Sequence, residues 1–143
     1  MINRGGGRIF NGVYSTLERF YNEGYKILAA SNGRLQYIEA ILKSNGLIDF
    51  FHMPIIVLNT VIKDKSEIVK YYKENLCSNN LLIMIGDRFS DKTAAEKNNI
   101  PFIGCSFGHA DDAELAGLKW RTSEFTSIYN LVKDIEELYL NIS

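Results

Sequence analysis

The sequence predicts an α/β fold, a parallel sheet covered by helices. Three observations predict it. Short apolar runs alternate with stretches whose apolar residues recur every three or four positions. The alternation continues along the chain, which is the order of strand–helix–strand units rather than of separate blocks. One run, residues 81–85, ends abruptly at Gly86-Asp87, as a buried parallel strand does where it leaves the sheet.

The elements follow in order. Residues 1–10 hold Gly5-Gly6-Gly7 between arginines and are set aside as a flexible lead-in; residues 11–143 are expected to form one domain. Val13, Leu17, Phe20 and Tyr21 share one helix face, and Gly24 stops that helix. Residues 25–30 read as a strand, broken by Ser31-Asn32-Gly33. Leu35, Ile38, Ile41 and Leu42 make the next helix face, closed by Gly46. Residues 54–59 are a second strand. Residues 66–76 are a helix with Ile68, Val69 and Tyr72 inward. Residues 81–85 form the third strand, 91–98 a helix and 101–105 a fourth strand. Residues 111–116 suggest a short helix and 119–121 an edge strand. Phe125, Ile128, Val132, Ile135 and Leu138 define a closing helix. Parallel strands need right-handed crossovers, which these helices supply.

Bulk properties narrow the function. With 143 residues the chain can bury a substantial core. Lys and Arg number 16 and Asp and Glu 17, so no charge excess favours nucleic acid or a membrane surface. No apolar run approaches the ~20 residues of a membrane span, and the first eight residues carry no hydrophobic signal core. Cys77 and Cys105 form neither a metal-ligand spacing nor a disulfide framework. They read as small core fillers of a cytoplasmic, reduced protein.

The chemistry collects at strand ends. Asp87 closes the third strand and Asp91 opens the next helix, so two hard oxygen ligands can face one point. Such a pair suits Mg²⁺, which takes few protein carboxylates and keeps several waters. The same spacing also fits a turn with Asp91 as helix N-cap. Ser31 and Asn32 end the 25–30 strand, where a hydroxyl and backbone N–H groups suit a phosphate oxygen, although on the residues alone a cap for the next helix is the favoured reading. Lys65 opens a helix, where the macrodipole disfavours a cation unless an anion lies near; Lys63 competes for that role. His52 and His109 have no acid or nucleophile at a telling spacing and read as surface residues.

Taken in order, these pieces resemble the haloacid dehalogenase (HAD) superfamily, in its phosphoglycolate-phosphatase-like branch. The carrying residues are Ala29-Ala30-Ser31-Asn32, the helix start Asp64-Lys65-Ser66-Glu67-Ile68-Val69, and Ile85-Gly86-Asp87-Arg88-Phe89-Ser90-Asp91. The stretches Ala94-Ala95-Glu96-Lys97-Asn98-Asn99-Ile100-Pro101-Phe102-Ile103-Gly104 and Gly12-Val13-Tyr14-Ser15-Thr16-Leu17 also resemble this branch. The resemblance covers about residues 9–140. It implies a Rossmann-like core in which Ser31 (with Asn32) binds the transferring phosphoryl group, Lys65 balances its charge, and Asp87 and Asp91 hold Mg²⁺. Phosphoryl transfer needs such positioning and neutralisation more than proton chemistry. A flavodoxin-like or receiver-type domain shares an acidic strand-end pocket, but the Lys65-to-Asp91 order argues against it.

One part of the family pattern does not occur in this sequence. The resemblance implies a first motif, Asp-x-Asp-x-Thr, whose first aspartate is the nucleophile. Here no aspartate precedes Asp49, and only Ile9 and Phe10 are hydrophobic between Arg8 and Asn11. The expectation is therefore a HAD core without its first strand and its cap domain, related to phosphate-monoester hydrolases but inactive alone. A first alternative is a split enzyme completed by a partner chain or a second copy that fills the missing central strand. A second is a non-enzymatic module for a small phosphorylated metabolite or a metal.

Overall fold

The computed structural model describes residues 12–31, 34–58, 62–76, 80–106 and 118–140. Five α-helices alternate with five short strands among them: α1 (Val13–Asn22), β1 (Ala30–Ser31), α2 (Leu35–Ser44), β2 (Ile56–Val57), α3 (Lys65–Asn75), β3 (Met84–Gly86), α4 (Phe89–Lys97), β4 (Phe102–Cys105), β5 (Arg121–Thr122) and α5 (Ile128–Leu140). Single 3-10 turns at Ile48–Phe50 and Phe125–Ser127 precede β2 and α5.

Every strand pair is parallel, as expected, but the strands fall into two sheets. β1 pairs β2, with Ala30 opposite Ile56 and Ser31 opposite Val57. β4 lies between β3 and β5, with Gly86 opposite Gly104 and Cys105 opposite Thr122. Among the described residues no strand ladder joins β1 to β3.

Helices cover both faces and tie the sheets together. On one side Phe20 of α1 packs with Ile128, Val132 and Ile135 of α5 against Ile103 and Cys105 of β4. The other end of α1, at Val13, joins Leu42, Leu47 and Ile55, with Ala29 and Val57 alongside. One helix thus rests on both sheets, and Phe125 packs against both clusters. On the opposite side Ala95 of α4 packs on Phe102, with Met84 beside it. Alternate residues of β4 therefore enter opposite core layers, as the pleat requires, and all four are buried. The Tyr72 hydroxyl of α3 donates to the Ala29 carbonyl at 2.6 Å and fastens α3 to the chain entering β1.

The helical faces match the sequence pattern closely. Ile68, Val69 and Tyr72 are buried, as are Val13, Phe20, Ile41, Leu42, Ile128, Val132 and Ile135. Gly46 ends α2 at φ +70°, a conformation costly for residues with a Cβ. Several expectations need correction. Tyr21, Leu35 and Leu138 are exposed; Tyr21 stacks at the surface beside Phe50, centroids 5.5 Å apart. The first strand is confined to Ala30–Ser31, with Ile27 making one isolated bridge to Phe51. Ser31 is thus the last residue of the strand, one position beyond the end that the sequence pattern gives. The last strand is Arg121–Thr122, shifted from 119–121. The helix expected at 111–116, the lead-in, His109, Cys77 and Asn32 lie outside the described residues.

Candidate functional site

β3, α4 and α3 bring charged residues to the carboxyl end of β3, and open α/β sheets bind ligands at such strand ends. Asp87 leaves β3 directly after Gly86 and is only 4% exposed. Asp91 is equally buried. It is not the N-cap of α4, because that helix begins at Phe89, two residues earlier than the sequence pattern gives. Arg88 takes the extended cap position, and Asp91 stands in the first turn, where its Oδ2 accepts the Arg88 backbone N–H at 3.2 Å. A carboxylate there meets the positive end of the helix dipole.

Gly86 makes the arrangement possible. A Cβ at this position would fall on the Asp91 carboxylate. Glycine is needed here for close approach rather than for a turn. It lets the β3 backbone lie against the very side chain that the following helix returns to the strand end.

Lys65 is the first residue of α3 and is preceded by a complete cap. Asp64 accepts N–H groups from Ser66 at 2.8 Å and Glu67 at 3.2 Å. The Ser66 hydroxyl also bonds the Asp64 carboxylate and, with those backbone bonds, holds its pKa below the ordinary range. The anion that the position of Lys65 calls for is Asp91: Nζ lies 2.6 Å from Oδ1, and the two side chains are 13% and 6% exposed. Lys63 does not compete for it; this exposed residue donates its backbone N–H to Glu67. Asn98, at the far end of α4, donates its amide to the Ser66 carbonyl at 3.1 Å, so the first turn of α3 is tied to α4 at two points.

Ser31 belongs to the other sheet. It ends β1, half-buried, and its carbonyl accepts from Leu58 at 3.1 Å. Of the residues singled out in the sequence, the structure thus joins Lys65 to Asp91, sets Asp87 one residue beyond Gly86, and places Ser31 at the end of β1 in the other sheet. His52 sits in a loop, its backbone N–H donating to Ile27.

Cys105 is a neighbour that the sequence did not single out for the site. It is buried one residue past Gly104, the partner of Gly86, and carries a free thiol. Burial pushes that thiol up to about 12, with the fields of Asp87 and Asp91 adding to the rise. A neutral apolar thiol therefore lies within electrostatic reach of both carboxylates.

Among the described residues no three His, Cys, Asp or Glu side chains gather into a metal-binding group. Two carboxylates are nevertheless a donor set that Mg²⁺ accepts, because it fills the rest of its octahedron with water and ligand oxygens. No helix among the described residues is long and apolar enough to cross a membrane.

Comparison with known proteins agrees with this architecture. A candidate phosphatase from Clostridium difficile superposes with a TM-score of 0.78 at 25% identity, covering 87% of this chain and 60% of that one. A predicted phosphatase from Clostridium acetobutylicum gives 0.74 at 26% identity, covering 94% and 64%. A predicted phosphoglycolate phosphatase from Haemophilus somnus shares the fold, with 0.74 at 19% identity over 87% and 57%. The chain thus spans about three fifths of the length of these structures. No curated protein matches it. The family model for haloacid dehalogenase-like hydrolases matches residues 6–105. With most of its length under that match and its charged residues at the strand ends, the chain belongs to the haloacid dehalogenase-like hydrolase family.

Proposed function

We propose that this chain supplies the phosphate- and metal-binding half of a magnesium-dependent phosphate-monoester phosphatase, and that it turns over no substrate by itself. In this reading the Ser31 hydroxyl, with Asn32 beside it, donates to an oxygen of the phosphoryl group, and the Lys65 ammonium neutralises a second. Asp87 and Asp91 hold Mg²⁺, which when bound supplies further charge compensation at the phosphoryl oxygens. The substrate class is a small phosphorylated metabolite of the cytoplasm, phosphoglycolate-like in size.

In this reading the attacking carboxylate is not among the residues of this sequence. No aspartate precedes Asp49 in this sequence, and without an attacking carboxylate the remaining groups bind and polarise but do not react. The single observation that carries the reading is the break between the sheets. β1 ends at Ser31 and β3 ends one residue before Asp87, and the two strands belong to different sheets among the described residues. Ile85 of β3, central in an apolar strand, is 40% exposed. A strand entering between β1 and β3, supplied by another polypeptide or a second copy, would cover Ile85. Its carboxyl end would lie between Ser31 and Asp87.

The test is complementation. The chain is mixed with Mg²⁺, an aryl phosphate and a synthetic peptide whose apolar strand ends in Asp-x-Asp-x-Thr. The expected result is no turnover without the peptide and turnover with it that Asp87→Ala abolishes. Turnover by the chain alone, lost in Asp87→Ala, overturns the reading. A second reading, a non-enzymatic phosphate- or metal-binding module, is favoured by the Lys65–Asp91 pair, which is assembled without any nucleophile. It predicts calorimetric heat with Mg²⁺ and inorganic phosphate but no peptide-dependent turnover.

A further inference from the structure

We propose that Lys65 is a latch on the metal ligands: its ammonium occupies the face of Asp91 that a divalent cation requires, and the cation binds only as Lys65 lets go. This rests on the assignment of Asp87 and Asp91 as the metal's carboxylates.

Four observations support the latch. The contact is direct, 2.6 Å from Nζ to Oδ1, and both side chains are largely removed from water, where an ion pair is screened less than at the surface. The other oxygen of Asp91 is engaged too: Oδ2 accepts the Arg88 N–H and lies against the backbone of Gly86. Both oxygens of the carboxylate are therefore engaged, one by the ammonium and the other by a backbone N–H. The pair is also set by helix packing. Lys65 follows the Asp64 cap, and the Asn98–Ser66 bond holds α3 against α4. Finally, a divalent ion on Oδ1 at the usual ~2.1 Å would stand at most about 5 Å from the ammonium. Like charges at that separation in a partly buried site repel strongly.

The latch has a way to open. Lysine carries its charge on a flexible four-carbon stem. While the backbone of Lys65 is fixed at the start of α3, its ammonium can turn from Asp91 to an arriving anion. Phosphate would then draw away the charge that opposes the metal, and the two ligands would bind cooperatively.

The experiment is a Mg²⁺ titration by calorimetry of the wild-type chain, Lys65→Met and Lys65→Arg, without phosphate. Lys65→Met, which removes the charge and keeps the stem, is expected to bind Mg²⁺ roughly tenfold more tightly than wild type, on the scale of one lost charge–charge contact. Lys65→Arg is expected to stay within about threefold of wild type, since it keeps the charge. Equal or weaker binding by Lys65→Met overturns the latch and leaves the metal site standing. No binding by any of the three proteins overturns the metal site and the latch together. Should Lys65→Met be unfolded without metal, circular dichroism during Mg²⁺ titration supplies the readout. Recovery of helix at Mg²⁺ concentrations below those that saturate wild type supports the latch, and no recovery overturns it.

Discussion

Ile85 and Ile103 are the same residue type, opposite one another in the register of β3 and β4, yet Ile85 is 40% exposed and Ile103 is fully buried. The contrast extends to the sheets. β4 has a partner on each side and helices over both faces, and all four of its residues are buried. β1 and β2 have one partner each, and their residues are only half-buried although Ile56 and Val57 are as apolar as anything in β4. Burial in a parallel sheet thus follows the number of neighbours more than local hydrophobicity. β4 is flanked by strands on both sides. The half that carries β1, together with the open side of β3, lacks a neighbour among the described residues.

Three experiments test that contrast and the contacts around it. The largest effect is expected from Ile103→Ala, at about 2–5 kcal/mol of stability, because a buried isoleucine leaves a cavity between α5 and β4. Ile85→Ala should cost less than about 1 kcal/mol, the range of exposed positions. Urea unfolding of both variants decides the matter, and equal costs would erase the distinction drawn here. Gly86→Ala comes next, at about 1–3 kcal/mol for forcing an added methyl group into occupied space. Since that methyl group falls on Asp91, Mg²⁺ binding should be lost before the fold is. A variant that keeps full Mg²⁺ affinity would show that Asp91 tolerates displacement.

The smallest effect concerns alkaline pH, through the two tyrosines that tie the ends of the structure. Burial raises the pKa of Tyr72, which bonds to Ala29. Burial, then the bond to Glu136, raises that of Tyr25, which also accepts from Lys133 at 2.7 Å. A raised pKa gives stability that is complete below pH 10 and declines as pH rises toward the folded value. Phenolate absorbance should therefore show two late-titrating groups, one removed by Tyr72→Phe and one by Tyr25→Phe. Removing the Tyr72 bond should lower stability at neutral pH by about 1 kcal/mol. Two phenols that titrate near 10 would mean that neither tie persists in solution.

Much of this was legible in the residues, and the remainder failed for identifiable reasons. Helix faces were readable because the 3.6-residue period reports directly which side meets the core, as with Ile68, Val69 and Tyr72. Lys65 at a helix start implied an anion nearby, and the structure supplies Asp91. Strand lengths were not readable. Residues 25–29 are apolar enough for a strand, but a ladder needs a partner chain segment at each position, and only Ile27 finds one before Ala30. The role of Asp91 in the helix was also ambiguous from spacing alone. Aspartate suits both the cap and the first turn, and the choice depends on Arg88 adopting the extended conformation. The closeness of Gly86 to Asp91 is a tertiary contact that the Gly-Asp pattern does not reveal.

Helix α1, lying across both sheets, has a mechanical consequence. Since no ladder bond is described between β1 and β3, the span from Ser31 to Asp87 is not ruled by the fixed spacing of adjacent strands. It is set instead by how α1 and the α3–α4 pair sit on the two sheets. The gap between these residues is thus held by packed side chains, as a caliper's is by its arm, and not by backbone ladder bonds among the described residues.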